Sequence, residues 1–260
     1  MDLDLAGKTA IITGGSKGIG KACADSLAAE GVNLHITSRT KADLEAARED
    51  ILSRHKVDVQ IHALDLSKSA NQKKLAQATG ATAGKVDILI NNAGAIPAGN
   101  LTKVDEDTWR DAWDLKVFGF VNLSRLIYPA MVERGGGVIL NVVGTAGERP
   151  AANYICGSTG NAALFGFTRA LGQMSLDSNV RVLAIAPGQI VTERLYRQQR
   201  LKAEETLGDP ERWQEMLKAL PQGRAGKPEE CGDVVAFLVS KRAFWINGVV
   251  IPVDGGGYLR

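Results

Sequence analysis

The sequence predicts a doubly wound α/β fold, in which helices cover both faces of a parallel β-sheet. Short apolar runs rich in β-branched residues recur along the chain, as expected of strands buried on both faces. Segments of helical period separate these runs, so strands and helices alternate and helical crossovers join parallel neighbours. No Pro-, Gly- or Ser-rich linker and no internal repeat divides the 260 residues, which favours one domain over residues 1–260.

The predicted elements follow in a regular order until late in the chain. The predicted strands are 9–13, 34–38, 59–63, 86–91, 138–143, 180–186 and 249–253. The predicted helices are 21–30, 41–55, 70–82, 107–133 and 160–175. The segment 193–224 breaks the alternation and contains a predicted helix, GDPERWQEMLKALP. Because it follows a strand end, where ligands bind in open parallel sheets, we expect a lid over the substrate. An oligomer contact or a solvated helical hairpin is the alternative.

Composition excludes several classes of function. The chain has 31 basic and 29 acidic residues, so no strong field attracts nucleic acid or a membrane surface. Its three cysteines are far apart and odd in number, which does not describe a disulfide framework. The N-terminus has early acids and only a short apolar run, so we expect neither a signal peptide nor a membrane span, and a cytoplasmic protein. His35, His55 and His62 lack metal-ligand spacing, and we expect surface positions and no metal site.

A glycine-rich turn, TGGSKGIG at residues 13–20, follows the first strand and opens the first helix. Glycines at 14, 18 and 20 permit a tight turn, close approach of backbone to a pyrophosphate, and packing of helix on strand. The free N–H groups at the helix N-terminus face the phosphates. The preceding strand and following helix supply the context that makes this pattern indicate a dinucleotide site.

The end of the second strand predicts which dinucleotide is bound. An NAD-selective site is expected to place a carboxylate there, against the ribose 2′-hydroxyl. Here the residues are Arg39 and Thr40, and the arginine can pair with a 2′-phosphate. Lys17, beside the glycine-rich turn, adds a second positive charge. We therefore expect NADP(H), with NAD(H) possible, and we expect Asp65 to meet the adenine.

The motifs taken together resemble the short-chain dehydrogenase/reductase family over nearly the whole chain. They are TGGSKGIG, Asp65-Leu66, Asn91-Asn92-Ala93-Gly94, Trp109, GGVILNVVGTAG, Pro187-Gly188 with Thr192, and the closing GRAGKPEECGDVVAFLVSKRAFWINGVVIPVDGG. The resemblance implies a Rossmann-type sheet, a nicotinamide cofactor, and carbonyl or alcohol redox chemistry. It also implies a homodimer or homotetramer in which the carboxyl-terminal region takes part. The implied cofactor-binding residues are Gly14, Ser16, Lys17, Gly18, Ile19, Gly20, Arg39, Thr40, Asp65, Leu66, Asn92, Ala93, Gly94, Pro187, Gly188, Ile190 and Thr192.

The chain departs from the family at the catalytic tetrad of Asn, Ser, Tyr and Lys. In a gapless register these positions are occupied by Lys116, Gly144, Gly157 and Asn161. A rival alignment puts the catalytic tyrosine at Tyr154, and then requires three extra residues before LFGFT. It places Asn141 at the serine and Ser158 at the lysine. Both alignments break the Tyr-Lys pair.

The missing groups have a chemical meaning, because hydride transfer to a carbonyl requires a proton at the oxygen. A phenol donates it only when a nearby ammonium stabilises the phenolate. We expect Tyr154 to be the acid, since it lies one helical turn, about 5 Å, before Gly157 on the same face. We expect Lys116 to be the ammonium, pointing inward from its helix with a lowered pKa.

The sequence thus predicts an NADP(H)-dependent oxidoreductase that interconverts a small ketone and a secondary alcohol. Two alternatives remain open at this point. One is a cofactor-binding sensor or structural subunit without redox activity, since all four tetrad positions are changed. The other is a lyase or isomerase that uses the nucleotide as a scaffold.

Overall fold

The fold is a parallel sheet with helices on both faces, as the alternation of elements predicts. The computed structural model describes residues 2–259, and of residue 258 the backbone only. Within that range the sheet has seven strands in the order β3-β2-β1-β4-β5-β6-β7. They are β1 (Thr9–Thr13), β2 (Asn33–Ser38), β3 (Val59–Ala63), β4 (Ile88–Asn91), β5 (Gly137–Val142), β6 (Val180–Pro187) and β7 (Val250–Val253). All neighbouring strands pair in parallel, so every strand ends at the same edge.

The helices are α1 (Gly18–Ala29), α2 (Lys41–Arg54), α3 (Ser69–Ala78), α4 (Glu106–Trp113), α5 (Gly119–Glu133), α6 (Ile155–Met174), α7 (Glu193–Leu207) and α8 (Pro228–Val239). Helices α1 to α3 begin and end within about four residues of the predicted bounds, whereas α6 begins five residues before its predicted start and α7 and α8 were not predicted. A large apolar cluster covers one sheet face, centred on α1, α2 and α8. A second cluster covers the opposite face beneath α3 and α5. The strand order reverses between β1 and β4, and this switch point opens a crevice for a ligand.

The predicted helix 107–133 is confirmed as one helical stretch, Glu106–Glu133, which contains an irregular turn. A π-helical turn, Asp114–Phe118, separates α4 from α5. The whole stretch Glu106–Glu133 is long and apolar enough to cross a membrane by length and composition alone. In the fold, however, Phe120, Leu123 and Ile127 are buried against the sheet and its neighbours, which makes α5 a core helix.

The segment 193–224, predicted to be a lid, contains one α-helix, which lies before the predicted helix and not within it. Helix α7 is followed by 3₁₀ turns at Pro210–Leu217 and Pro221–Gly223. The prediction of a helix over GDPERWQEMLKALP is therefore wrong in type. Arg212 has φ −83° and ψ 16°, outside the helical range, so the i to i+4 bonding pattern does not continue through it.

Arg181 joins the sheet to the end of α8. Its guanidinium is buried and donates to the carbonyls of Leu238 (2.8 Å), Ser240 (3.0 Å), Ala243 (3.2 Å) and Ile246 (3.3 Å). Burial lowers its pKa to about 10. The side chain supplies donors to carbonyls that the helix end leaves without a partner.

The histidines differ in part from the surface positions expected of them. His35 on β2 is only 9% exposed, and its Nδ1 lies 3.1 Å from Nε2 of His62 on β3. They are diagonal neighbours on one face of the sheet, since the register pairs His35 with Gln60 and His62 with Thr37. His55 instead lies 3.1 Å from Asp25. No group of three or more His, Cys, Asp or Glu side chains within the described residues is placed to hold a metal.

Candidate active site

The glycine-rich turn has the geometry that a dinucleotide phosphate requires. Gly14 and Gly18 have φ of 67° and 56°, a region that side chains disfavour. A Cβ on Gly20 would lie 2.1 Å from the carbonyl oxygen of Gly14, so no other residue fits there. Helix α1 begins at Gly18, and the first N–H groups of a helix have no intrahelical partner. Backbone donors and the helix dipole therefore point to one anion site.

Asn92 braces this turn from the end of β4. Its Nδ2 donates to the carbonyls of Thr13 (2.9 Å) and Gly14 (3.3 Å). In return, Thr13 Oγ1 accepts from the backbone N–H groups of Asn92 (2.8 Å) and Ala93 (2.9 Å). These bonds fix the shape of the turn, and they commit the Asn92 amide to the protein backbone.

The charges at the end of β2 are not equivalent. Lys17 forms an ion pair with Asp43 of α2 at 2.9 Å, so part of its charge is already balanced. Arg39 is exposed and lines the cleft as well as an adjoining cavity that Asp65 also lines. Burial opposes ionisation of Asp65, but hydrogen bonds from Ser67 and the charge of Arg39 keep its pKa below the ordinary value. Of the two cations, Arg39 is the one that forms no ion pair within residues 2–259, whereas Lys17 is paired.

A cleft of about 1160 Å³ lies along the carboxyl ends of the strands. The cavity is large for a single small molecule and suits a dinucleotide together with a substrate. Most of the residues predicted to bind the cofactor line it: Gly14, Lys17, Gly18, Ile19, Arg39, Asn92, Ala93, Gly94, Pro187, Gly188, Ile190 and Thr192. Of the others, Gly20 packs under Gly14, Leu66 points into the core, and Ser16 and Thr40 lie in the flanking turns.

Lys116 points inward from the π-helical turn. Its Nζ donates to the carbonyl of Val143 at 2.7 Å, and its stem passes close to Gly94, where a Cβ would lie 2.9 Å from Cδ. Desolvation and the nearby charge of Arg194 lower its pKa to about 8. The inward orientation and the lowered pKa agree with the sequence expectation. A π turn often marks a functional position, because it aims side chains that a regular helix would not.

The ring of Tyr154 occupies the space beside Gly157. A Cβ added to Gly157 would lie 2.0 Å from Cζ of Tyr154 and 2.1 Å from one of its Cε atoms. Backbone hydrogen bonds hold the segment before α6, from Gly99 N–H to Asn153 O (2.7 Å) and from Ile155 N–H to Gly99 O (3.4 Å). The tyrosine therefore lies where a longer side chain at position 157 would be.

The side chain of Asn161 likewise occupies the space beside Gly144. Gly144 has φ 140°, and a Cβ there would lie 3.0 Å from Nδ2 of Asn161. Asn161 is buried, lines the cleft, and its Oδ1 has no hydrogen-bond partner within residues 2–259. A buried amide oxygen is costly without a donor, so this atom is an unsatisfied acceptor in the cleft wall.

The residues of the rival alignment have other roles in the structure. Asn141 is fully buried, accepts from Asn91 Nδ2 (3.0 Å) and donates to Thr168 Oγ1 (2.9 Å). Ser158 is buried and its Oγ accepts from the N–H of Ala151 at 3.0 Å. Both side chains are thus committed to the protein interior.

One residue at the site was missed by the sequence reasoning. Arg194, in the first turn of α7, donates through Nη2 to the carbonyl of Ile96 (2.5 Å), and its Cζ lies 5.9 Å from the centroid of the Tyr154 ring. The available signal was a cation in the first turn of a helix that begins just after Thr192. Positive charge there opposes the helix dipole, so such an arginine indicates a role other than helix stability.

Comparison with known proteins decides the family. A model described as "short chain dehydrogenase" matches residues 8–202, three quarters of the chain. The chain belongs to the short-chain dehydrogenase family. It is 34% identical over 258 residues to 7alpha-hydroxysteroid dehydrogenase of Escherichia coli (strain K12), covering 98% of this chain and 96% of that protein.

Solved structures of short-chain dehydrogenases share the fold over the full chain. One of them is L-sorbose reductase from Gluconobacter frateurii, complexed with NADPH and L-sorbose. It has a TM-score of 0.94 and 30% sequence identity to this chain, and the match covers 100% of both chains. A 7 alpha-hydroxysteroid dehydrogenase complexed with NADH and 7-oxo glycochenodeoxycholic acid has a TM-score of 0.87 and 31% identity, covering 98% of this chain and 96% of that chain.

Family membership makes this short-chain dehydrogenase an NAD(P)-dependent oxidoreductase of small alcohols or ketones. The two structures above hold NADPH and NADH respectively, so the family alone does not select between the two cofactors. The choice of cofactor and the source of the proton depend on residues of this chain.

Proposed function

We propose that this short-chain dehydrogenase interconverts a small ketone and its secondary alcohol with NADP(H), through a proton donor different from the usual one. The gapless register assigns the family's catalytic positions to Lys116, Gly144, Gly157 and Asn161. The observation that carries the proposal is the ring of Tyr154 lying over Gly157. The phenol of Tyr154 thus reaches the place of a side chain at position 157 from three residues earlier in the chain.

The proposed chemistry uses two side chains of the cleft. When bound, the nicotinamide supplies or accepts the hydride. Reduction leaves negative charge on the substrate oxygen, and the Tyr154 hydroxyl donates a proton to it. The Lys116 ammonium, held by the carbonyl of Val143, stabilises the phenolate that forms. In the reverse direction the phenolate accepts the proton from the alcohol.

Asn161 contributes a hydrogen-bond acceptor at the same place. Its Oδ1 is buried and without a donor among the residues described, and it lies in the cleft wall beside Gly144. We assign it to a hydroxyl of the cofactor or of the substrate. Such a bond removes the cost of the unpaired oxygen and helps to orient the ligand.

The preference for NADP(H) rests on Arg39. It is the exposed cation at the end of β2, where an NAD-selective enzyme would be expected to carry an acid. Its guanidinium suits bidentate pairing with a 2′-phosphate. Because Lys17 is paired with Asp43, we assign the larger part of the selectivity to Arg39.

The remaining expectations concern the surroundings of the site. We assign 193–224 to a lid, since Thr192 and the first turns of α7 line the cleft. The methyl group of Thr192 lies 3.2 Å from the Cβ position of Gly18, so the lid begins against the phosphate turn. We also propose a cytoplasmic homodimer or homotetramer in which the carboxyl-terminal region takes part. The exposed side chain of Trp245 in that region (94% exposed) supports this proposal, because a large apolar side chain at the surface favours a subunit contact.

The test has a binding step and a turnover step. NADPH binding is measured first by fluorescence, and oxidation of NADPH is then followed with a panel of ketones. Tyr154→Phe and Lys116→Met are expected to slow turnover by about 10²-fold or more while NADPH still binds, because each removes a proton-transfer group. Tyr128→Phe and Lys74→Met are the matched controls, since Tyr128 bonds Ser178 and Lys74 is an exposed residue of α3.

Each outcome separates the candidate functions. NADPH binding without turnover of any ketone would favour the non-redox sensor or subunit. Turnover that is unchanged in both variants would remove Tyr154 and Lys116 from the mechanism. Absence of affinity for either dinucleotide would refute the assignment of the glycine-rich turn.

A further inference from the structure

Two cations converge on the reacting end of the cleft without an acidic partner. Lys116 and Arg194 both line the cleft, and each donates to a backbone carbonyl, Val143 O and Ile96 O. Within residues 2–259 neither forms an ion pair with a carboxylate, although fourteen other pairs are formed there. Their charges repel, since Arg194 contributes to the lowered pKa of Lys116. An anion between them would relieve this repulsion.

Arg194 retains donors for such an anion. Its single described hydrogen bond uses Nη2, and a guanidinium carries five N–H donors in a planar fork that matches a carboxylate. The group also lies 5.9 Å from the centre of the Tyr154 ring, which fixes it near the proposed proton donor. A carboxylate bound here would therefore lie close to the reacting oxygen.

The contacts of Arg194 place it near the proposed proton donor. Thr192 contacts Gly18 of the phosphate turn, whereas the described contacts of Arg194 are with Ile96 and Tyr154. Arg194 also lines the adjoining cavity that contains Arg39 and Asp65. Farther along α7, Lys202 and Glu205 also line the cleft and carry opposite charges. Lys116 and Arg194 are thus cations that line the cleft together with Tyr154 and form no ion pair within residues 2–259.

We propose that the substrate is an oxo acid, whose carboxylate binds between Arg194 and Lys116 while its ketone faces Tyr154. This inference rests on the proposed function for the chemical step. In that step the hydride of NADPH forms the new C–H bond, the Tyr154 hydroxyl proton goes to the carbonyl oxygen, and solvent returns a proton to the phenolate. The products are the hydroxy acid and NADP⁺, and the carboxylate is unchanged.

The test compares acids with their neutral amides, which have nearly the same shape. The pairs are pyruvate and pyruvamide, acetoacetate and acetoacetamide, and levulinate and levulinamide, which differ in the distance from ketone to carboxylate. The wild type is expected to use at least one acid about 10- to 100-fold better in kcat/KM than its amide, as a charge-assisted bidentate pair allows. Arg194→Gln is expected to remove this preference, so that kcat/KM falls much more with the acid than with its amide.

Arg197→Gln is the matched control, because Arg197 lies one turn along α7 and pairs with Glu193 at the surface. It is expected to keep the wild-type preference. Equal use of acid and amide by the wild type would overturn the inference. So would an equal loss with both in Arg194→Gln, or a loss of NADPH affinity that accounts for the change, since Arg194 would then serve the cofactor.

A binding measurement separates this inference from the proposed function. Levulinate and levulinamide are titrated into the complex of the protein with NADP⁺, by calorimetry, in wild type and in Arg194→Gln. Selective binding of levulinate that the variant loses supports the carboxylate site even if no ketone is reduced. Reduction of ketones with no selectivity for acids would sustain the proposed function and refute the oxo-acid assignment.

Discussion

Replacing Gly157 by alanine tests whether the position of the Tyr154 ring matters for catalysis. The added Cβ would lie 2.0 Å from Cζ of that ring, whereas ordinary contact begins at 3.4 Å. The ring must therefore move outward by about 1.4 Å, because the Cβ is fixed to helix α6 and cannot yield. Wild-type packing at this point depends on the glycine.

The size of the effect follows from that displacement. Misplacing a reacting group by 1 Å can cost about 10²-fold in rate, which corresponds to about 2.7 kcal/mol of activation free energy. We expect kcat for ketone reduction to fall by about 10²-fold in Gly157→Ala. NADPH affinity is expected to change little, because the glycine-rich turn lies elsewhere. The double variant Gly157→Ala/Tyr154→Phe is expected to be no slower than Tyr154→Phe, since both changes act on one hydroxyl.

Steady-state kinetics of the two single variants and the double variant measure the coupling. Gly166→Ala is the control on the same helix, because a Cβ there meets nothing within 4 Å. This variant is expected to keep full activity and to gain about 0.5–1 kcal/mol in unfolding free energy. Wild-type activity in Gly157→Ala, or losses that multiply in the double variant, would refute the role of the ring position.

Four further predictions concern charge and stability. Arg39→Asp is expected to weaken NADPH binding by about 10-fold or more and NADH binding much less, and equal losses in titrations of the two would contradict the NADP assignment. Since burial lowers the pKa of Lys116 to about 8, its ammonium is lost as pH rises through that value, and kcat is expected to fall above it; a flat profile would exclude a charged role. Desolvation lowers the pKa of His35 and of His62 below the ordinary 6.5, so the folded state binds fewer protons than the unfolded state. Urea midpoints should therefore fall as pH decreases below 6.5, and less so in His62→Gln. Arg181→Met is expected to cost about 3 kcal/mol or more of unfolding free energy, because several buried carbonyls lose their donor; a loss below about 1 kcal/mol in urea unfolding would contradict this.

Strands and most helices could be predicted from the sequence because their signals are local. Residues 9–13 and 59–63 form strands with the predicted ends, since apolar β-branched runs between turns allow few alternatives. The π turn at Asp114–Phe118 could not be predicted in this way. It depends on how α4 and α5 each pack, which is a property of the whole fold. The non-helical Arg212 and the half-buried contact between His35 and His62 likewise depend on tertiary neighbours.

The cofactor half of the site was easier to predict than the reacting half. Gly14, Gly18 and Gly20 are required because the backbone turns tightly and packs closely in any crossover of this kind. The glycine pattern alone therefore predicts the geometry of the turn. Tyr154 could be suggested from its spacing to Gly157 and from the rival alignment, but the position of its ring required coordinates. Arg194 was missed because its contacts to Ile96 and Tyr154 bridge residues far apart in sequence.

The π turn also has a consequence for how this enzyme could change by insertion or deletion. In a regular helix each residue advances by about 100°, so the wide turn at 114–118 absorbs one residue without rotating the helix beyond it. Deleting a residue there would restore a regular helix and rotate α5 relative to α4 by about 100°. Either Lys116 would leave the cleft, or Phe120 and its side of α5 would leave the interior. The same extra residue therefore lets Lys116 point into the cleft and Phe120 pack in the core.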